Sequence, residues 1–65
     1  MNIVIGEIYN IYHSTDETVI QLFDGRLYRC HNDSIRYFLQ KYAEIGMMII
    51  LYVKNNEIQS IDIKL

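Results

Sequence analysis

Three strand-like stretches, one amphipathic helix and two further strand-like stretches follow one another in 65 residues that contain no proline. That order restricts the possible folds more than any single residue restricts the function. A chain this short forms one domain, 1–65, with no internal linker or repeat. It buries only about 60% of its unfolded surface, so all five strands and the helix must share one core. Half of the residues are hydrophobic (51%), enough to build that core without crosslinks. Cys30 is the sole cysteine, which excludes an intrachain disulfide and gives no sign of an oxidising compartment.

The first strand is expected over about Asn2–His13. Its apolar residues Ile3, Ile5, Ile8, Tyr9, Ile11 and Tyr12 do not keep one period-2 phase, and the change is placed near Gly6, where a bulge or bend fits a glycine. A long bent strand is what a small barrel uses to pair with both halves of its sheet. Ser14–Glu17 reads as a polar loop. Thr18–Phe23 and Arg26–His31 then flank Asp24-Gly25, a strong hairpin signal. A two-residue loop there puts Tyr28 on a face with Phe23 and Arg26. A three-residue loop with Gly25 in a bulge groups Ile20, Leu22, Tyr28 and Cys30 instead. The second grouping is the more consistently apolar and is preferred, because a one-residue slip exchanges the two faces of the strand.

Asn32-Asp33-Ser34 offers N-cap oxygens to the free N–H groups of a helix over Asp33–Ile45. Ile35, Phe38, Leu39 and Tyr42 fall at i, i+3, i+4 and i+7 and are expected in the core, with Gly46 as a left-handed cap. Met47–Lys54 is almost continuously apolar and reads as a buried strand. Asn55-Asn56 fits a tight turn with positive φ. Glu57–Leu65 closes the pattern, with Ile61, Ile63 and Leu65 alternating against Asp62 and Lys64.

The order β-β-β-α-β-β resembles that of OB-type barrels, in which a helix between strands 3 and 4 plugs one end. The expected fold is therefore mostly β, a small five-stranded OB-like barrel. The alternative is an open antiparallel sheet with the helix across one face, an α+β sandwich. The two differ in whether the first strand pairs with both the second and the fourth.

No catalytic constellation emerges. Cys30 and His31 are neighbours in a strand and point to opposite faces, which separates a nucleophile from its base. His13, His31 and Cys30 lack the paired spacing of a metal site, and Asp16-Glu17 reads as loop polarity. The three glycines are isolated, so no phosphate-binding loop is present. The chain is expected to be no enzyme and to hold no cofactor and no metal. The longest apolar run, Met47–Val53, is far short of the roughly 18 residues that span a bilayer, so no membrane partner is expected and the location is read as cytoplasmic.

Two binding readings remain. Strand 3 alternates Arg26 and Arg29 with Tyr28, which suits stacking of single-stranded nucleic acid on the ligand face of an OB-type barrel. The net charge of −2 opposes it, because phosphate neutralisation supplies most of the affinity of such binders. A protein partner, including a second copy of the chain, fits an acidic sequence whose six Tyr and two Phe exceed what a small core holds. Tyr9, Tyr12, Phe23, Arg26, Arg29 and Tyr37 are the candidate partner-binding residues. A tiny acidic domain of this kind resembles the accessory or inhibitor proteins of phages and mobile elements. That resemblance implies a binding module engaging a protein partner.

Overall fold

The computed structural model describes residues 1–64. Its elements are β1 (Asn2–His13), β2 (Thr18–Leu22), β3 (Leu27–Cys30), α1 (Asp33–Tyr42), β4 (Met48–Lys54) and β5 (Glu57–Lys64). The strands close into a barrel in the order β1-β2-β3-β5-β4. This is the OB-like barrel with its helix between strands 3 and 4, and the open sandwich is excluded by the closed circuit.

β1 makes that closure possible because it is twelve residues long and serves two partners. Asn2 to Glu7 pair with Val53 to Met48 of β4, and Ile8 to His13 pair with Leu22 to Thr18 of β2. The register shifts between Ile8 and Asn10, so the extra residue is Tyr9 and not one near Gly6. Val4 and Ile8 face the core before the bulge, and Ile11 packs against it afterwards. Gly6 has a different use: a Cβ there would stand 2.8 Å from Leu22 Cδ1, so its missing side chain lets β1 pass close over β2.

The β2–β3 hairpin adopts the three-residue loop. Leu22 N–H donates to the Arg26 carbonyl (3.0 Å), Gly25 N–H donates to the Leu22 carbonyl (2.9 Å), and Gly25 has φ +92°. Ile20 therefore stands opposite Tyr28, and Thr18 opposite Cys30. Ile20, Leu22, Tyr28 and Cys30 all line the core, with Tyr28 only 5% exposed. β3 meets β5 in parallel at Arg29 and Glu57, where Arg29 N–H donates to the Asn56 carbonyl (3.0 Å).

The helix begins where its cap chemistry places it: Asn32 Oδ1 accepts from Ile35 N–H at 3.0 Å. It ends at Tyr42, three residues before the expected Ile45, because Ala43 is already extended (φ −82°, ψ 133°). Gly46 is thus no helix cap. Its φ of +93° serves a turn in which Met47 N–H donates to the Glu44 carbonyl, and its own N–H donates to the Ile8 carbonyl at the start of β4. The expected burial of the helix face is also corrected. Leu39 is the one helix residue with 0% exposure, and Ile35 is half-buried beside it. Phe38 and Tyr42 lie outside the rim, exposed and stacked on each other with centroids 4.9 Å apart. The mouth of a five-stranded barrel is filled by Leu39 with Ile35 and Ala43, which leaves no room for two further rings.

β4 alternates instead of being buried on both faces. Ile49, Leu51 and Val53 point inward, while Met48, Ile50 and Tyr52 point outward. Asn55 and Asn56 have φ of 53° and 63°, as the tight turn requires. A register shift after Tyr52 puts Ile58 in the core, and Ile61 and Ile63 pack against it. The expected place of Leu65 in that alternation lies outside the described residues. Arg36 ties the helix to the barrel through the Ser14 carbonyl (2.6 Å) and Thr18 Oγ1 (3.4 Å), which satisfies the one buried polar residue of the core among the described residues. No helix is long and apolar enough to cross a membrane among the described residues.

Candidate functional site

The six candidate residues are all exposed, but they do not form one site. Tyr9 and Phe23 come together at the end of the β1–β2 ladder with their rings edge to face, centroids 5.1 Å apart. The bulge at Tyr9 and the hairpin loop at Phe23 place them there; Phe23 N–H donates to the Glu7 carbonyl (3.0 Å). Tyr12 stands across the sheet from Val19, and Val19 from Arg29, so Tyr12 and Arg29 share the outer face of β2 and β3. The Tyr12 hydroxyl donates to Gln21 Oε1 (3.2 Å) on that face. Arg26 is at the hairpin tip, where its guanidinium and backbone N–H both bond the Asp24 carboxylate. These bonds hold the Asp24 carboxyl below its ordinary value. Tyr37 is apart from all of these, on the helix, with the Lys41 ammonium 5.8 Å from its ring centre.

The β2–β3 face is electrostatically answered from within the protein. Arg29 Nε is 3.9 Å from Glu17 Oε1. His31 stands between two acids, with Nε2 3.2 Å from Glu17 Oε1 and Nδ1 2.8 Å from Glu57 Oε1. His31 N–H also donates to Glu57 Oε2 (3.0 Å). This cluster ties the β1–β2 loop, the exit of β3 and the start of β5 together. With Tyr28 in the core, the face offers a single tyrosine and a cation that already has an acid beside it.

Chemistry at Cys30 is suppressed by its position. The thiol has 0% exposure and lies 3.8 Å from the Asn32 carbonyl, and burial pushes its pKa up. His13 Nδ1 is taken by Thr18 Oγ1 (3.1 Å) and His31 by the glutamates, so the two histidines are engaged separately. Among the described residues no group of three or more His, Cys, Asp or Glu side chains is arranged to hold a metal ion.

A contiguous apolar face lies elsewhere, on residues that sequence patterning assigned to no surface. Ile3 pairs with Tyr52 and Ile5 with Ile50, while Met48 follows opposite Glu7. All five apolar side chains project outward from the β1–β4 ladder, with Ile3 64% and Ile5 60% exposed. The signal for them was present: Ile3–Ile5 and Met48–Val53 are apolar in both period-2 phases, yet a closed barrel has only one inside. A second apolar feature, a groove of about 500 Å³ between α1 and β5, is lined by Phe38, Tyr42, Met47, Ile61 and Ile63. Lys41, Glu44 and Asp62 edge it.

No protein-family model, curated protein or solved structure matches this chain.

Proposed function

We propose that the chain is a non-enzymatic binding module of the cytoplasm that engages a protein partner through the outer face of β1 and β4. The observation that carries this reading is the continuous apolar surface of Ile3, Ile5, Met48, Ile50 and Tyr52. Contiguous apolar patches of more than a few hundred Å² are uncommon on monomers and favour association. Apolar burial yields roughly 25 cal/mol per Å², so Ile3 and Ile5, each more than half exposed, have much to gain from a dry partner. The net charge of −2 is no obstacle to a protein interface.

The experiment is affinity capture from the source cells with wild type, Ile5→Asp and Arg29→Ala. The reading expects a stoichiometric protein complex that Ile5→Asp loses and Arg29→Ala keeps. A complex indifferent to Ile5→Asp would refute it. The rival, single-stranded nucleic acid on the β2–β3 face, is favoured by the exposed Tyr12, Leu27 and Arg29. It requires oligonucleotide binding at low salt that weakens as salt rises and falls with Arg29→Ala. The glutamate beside Arg29 and the burial of Tyr28 count against it.

A further inference from the structure

We propose that the free edge of β5 takes an extended, uncharged apolar peptide of another protein as an added strand, seated in the groove between β5 and α1. The site is separate from the β1–β4 face and stands or falls independently of it.

For most of its length β5 has one neighbour. β4 pairs with it from Lys54 opposite Glu57 to Met48 opposite Lys64, whereas β3, on its other side, meets it only at Glu57. An antiparallel ladder leaves every second residue with its N–H and C=O turned away from the partner strand. Among the described residues no further backbone hydrogen bond reaches residues 58–63, so those groups lie along an open edge. The register shift after Tyr52 is past by Ser60, and residues 60–63 pair regularly with residues 52–49. The usual guards of an edge are missing from this stretch: it has no proline and no lysine, and Asp62 is its one charge.

The groove follows that edge. Ser60, Ile61, Asp62 and Ile63 all line the hollows beside α1. Successive strand residues point to opposite faces, so a groove touching consecutive residues runs along the edge and not over one face. Its far wall is the helix. Ser34, Ile35 and Phe38 stand across from Ser60 and Ile61 around a hollow of about 230 Å³. Phe38 and Tyr42 stand across from Ile61 and Ile63 around the hollow of about 500 Å³, and the two adjoin at Phe38 and Ile61. The helix thus runs beside the edge without covering it, because Leu39 seats in the barrel mouth and leaves Phe38 and Tyr42 exposed.

These features specify the occupant. An unpaired strand edge is matched by a backbone in extended form, whose main-chain bonds give affinity while alternate side chains give selectivity. Residues 60–63 accommodate about four residues of it at about 3.3 Å each. Its inward side chains meet Phe38, Tyr42 and Met47 and are therefore apolar. The rim carries both signs, Lys41 against Glu44 and Asp62, with Lys64 next after Ile63 in the strand, so it favours no charged sequence. The β5 edge of a second copy fits less well, since it arrives flanked by its own α1.

The test screens the purified full chain against a phage-displayed library of random octapeptides. Enriched peptides are expected to alternate apolar residues. A synthetic copy with alternate amides N-methylated keeps the side chains, loses the donors, and should bind about tenfold more weakly. Phe38→Ala and, separately, Tyr42→Ala should each weaken binding about tenfold with the circular dichroism spectrum unchanged, and Ile5→Asp should leave it unaffected. By hydrogen exchange, every second amide of residues 60–63 should exchange as an unbonded group in the free chain and slow about tenfold or more with peptide bound. A library that enriches nothing overturns the proposal. So do peptides that tolerate N-methylation, or that bind both alanine variants as tightly as wild type. Binding abolished by Ile5→Asp would place the peptide on the β1–β4 face and overturn it too. Slow exchange at every amide of residues 60–63 in the free chain would also overturn it, the edge then being covered already, by a second copy if sedimentation shows a dimer.

Discussion

Removing the plug of the barrel tests how the helix seats. Leu39 is the only helix side chain with no exposure, and it packs among Ile8, Ile20, Leu22 and the inward residues of β4 as one cluster. Leu39→Ala deletes three carbons at a site where closed strands cannot collapse inward, so the loss belongs in the range of about 2–5 kcal/mol. A 65-residue chain has in total about 3–10 kcal/mol at roughly 0.05–0.15 kcal/mol per residue. The substitution therefore removes about a fifth of the stability at least. With a urea m-value of about 1 kcal/mol/M for a small domain, the midpoint should fall by about 2 M or more. Phe38→Ala and Tyr42→Ala remove only a half-exposed stacked pair and should each be worth about 1 kcal/mol. The assay is urea unfolding followed by far-ultraviolet circular dichroism for the three variants side by side. A midpoint shift for Phe38→Ala or Tyr42→Ala as large as that for Leu39→Ala would refute the seating, because it would mean the helix presents the broader face to the core.

Asn32→Ala removes the side-chain acceptor of Ile35 N–H and should destabilise the protein by about 1 kcal/mol, read from the same urea titration. His31→Ala removes the link between Glu17 and Glu57; with the ring half exposed, the loss should not exceed about 1 kcal/mol, and it should shrink in high salt. The Cys30 thiol, held protonated by burial, should react with a disulfide reagent at neutral pH only at the rate of unfolding, and fast once urea is added. Its raised pKa also fixes a sign. The thiol's contribution is fully present below the unfolded value near 9.0 and is lost as pH rises towards the folded value, so stability should decline above pH 9, and Cys30→Ala should flatten that decline.

Most of the fold is legible in the sequence because its signals are local. The Asp24-Gly25 bulge, the Asn32 cap and the Asn55-Asn56 turn are each set by one or two residues whose side chains or φ angles allow little else. The apolar match of Ile20, Leu22, Tyr28 and Cys30 selects the hairpin register for the same reason. The position of the phase change in β1 is different. Patterning points to Gly6, because a glycine suits a bulge, and only the pairing of β1 with both β2 and β4 places the extra residue at Tyr9. Helix periodicity likewise counts four apolar residues on one face but not the diameter of the barrel mouth, which admits Leu39 and excludes Phe38 and Tyr42. The outer face is hidden for a related reason. A strand that is apolar in both phases does not reveal which phase faces out, and aromatic content drew attention to Tyr9, Tyr12, Phe23 and Tyr37 instead of to Ile3 and Ile5.

Site-specific photo-crosslinking in the source cells tests the central claim most directly. A photoreactive residue is placed at Ile5 on the β1–β4 face in one chain and at Leu27 on the β2–β3 face in another, both positions being exposed. Protein adducts are expected from position 5 and none from position 27. Adducts to nucleic acid from position 27, with nothing captured at position 5, would contradict it.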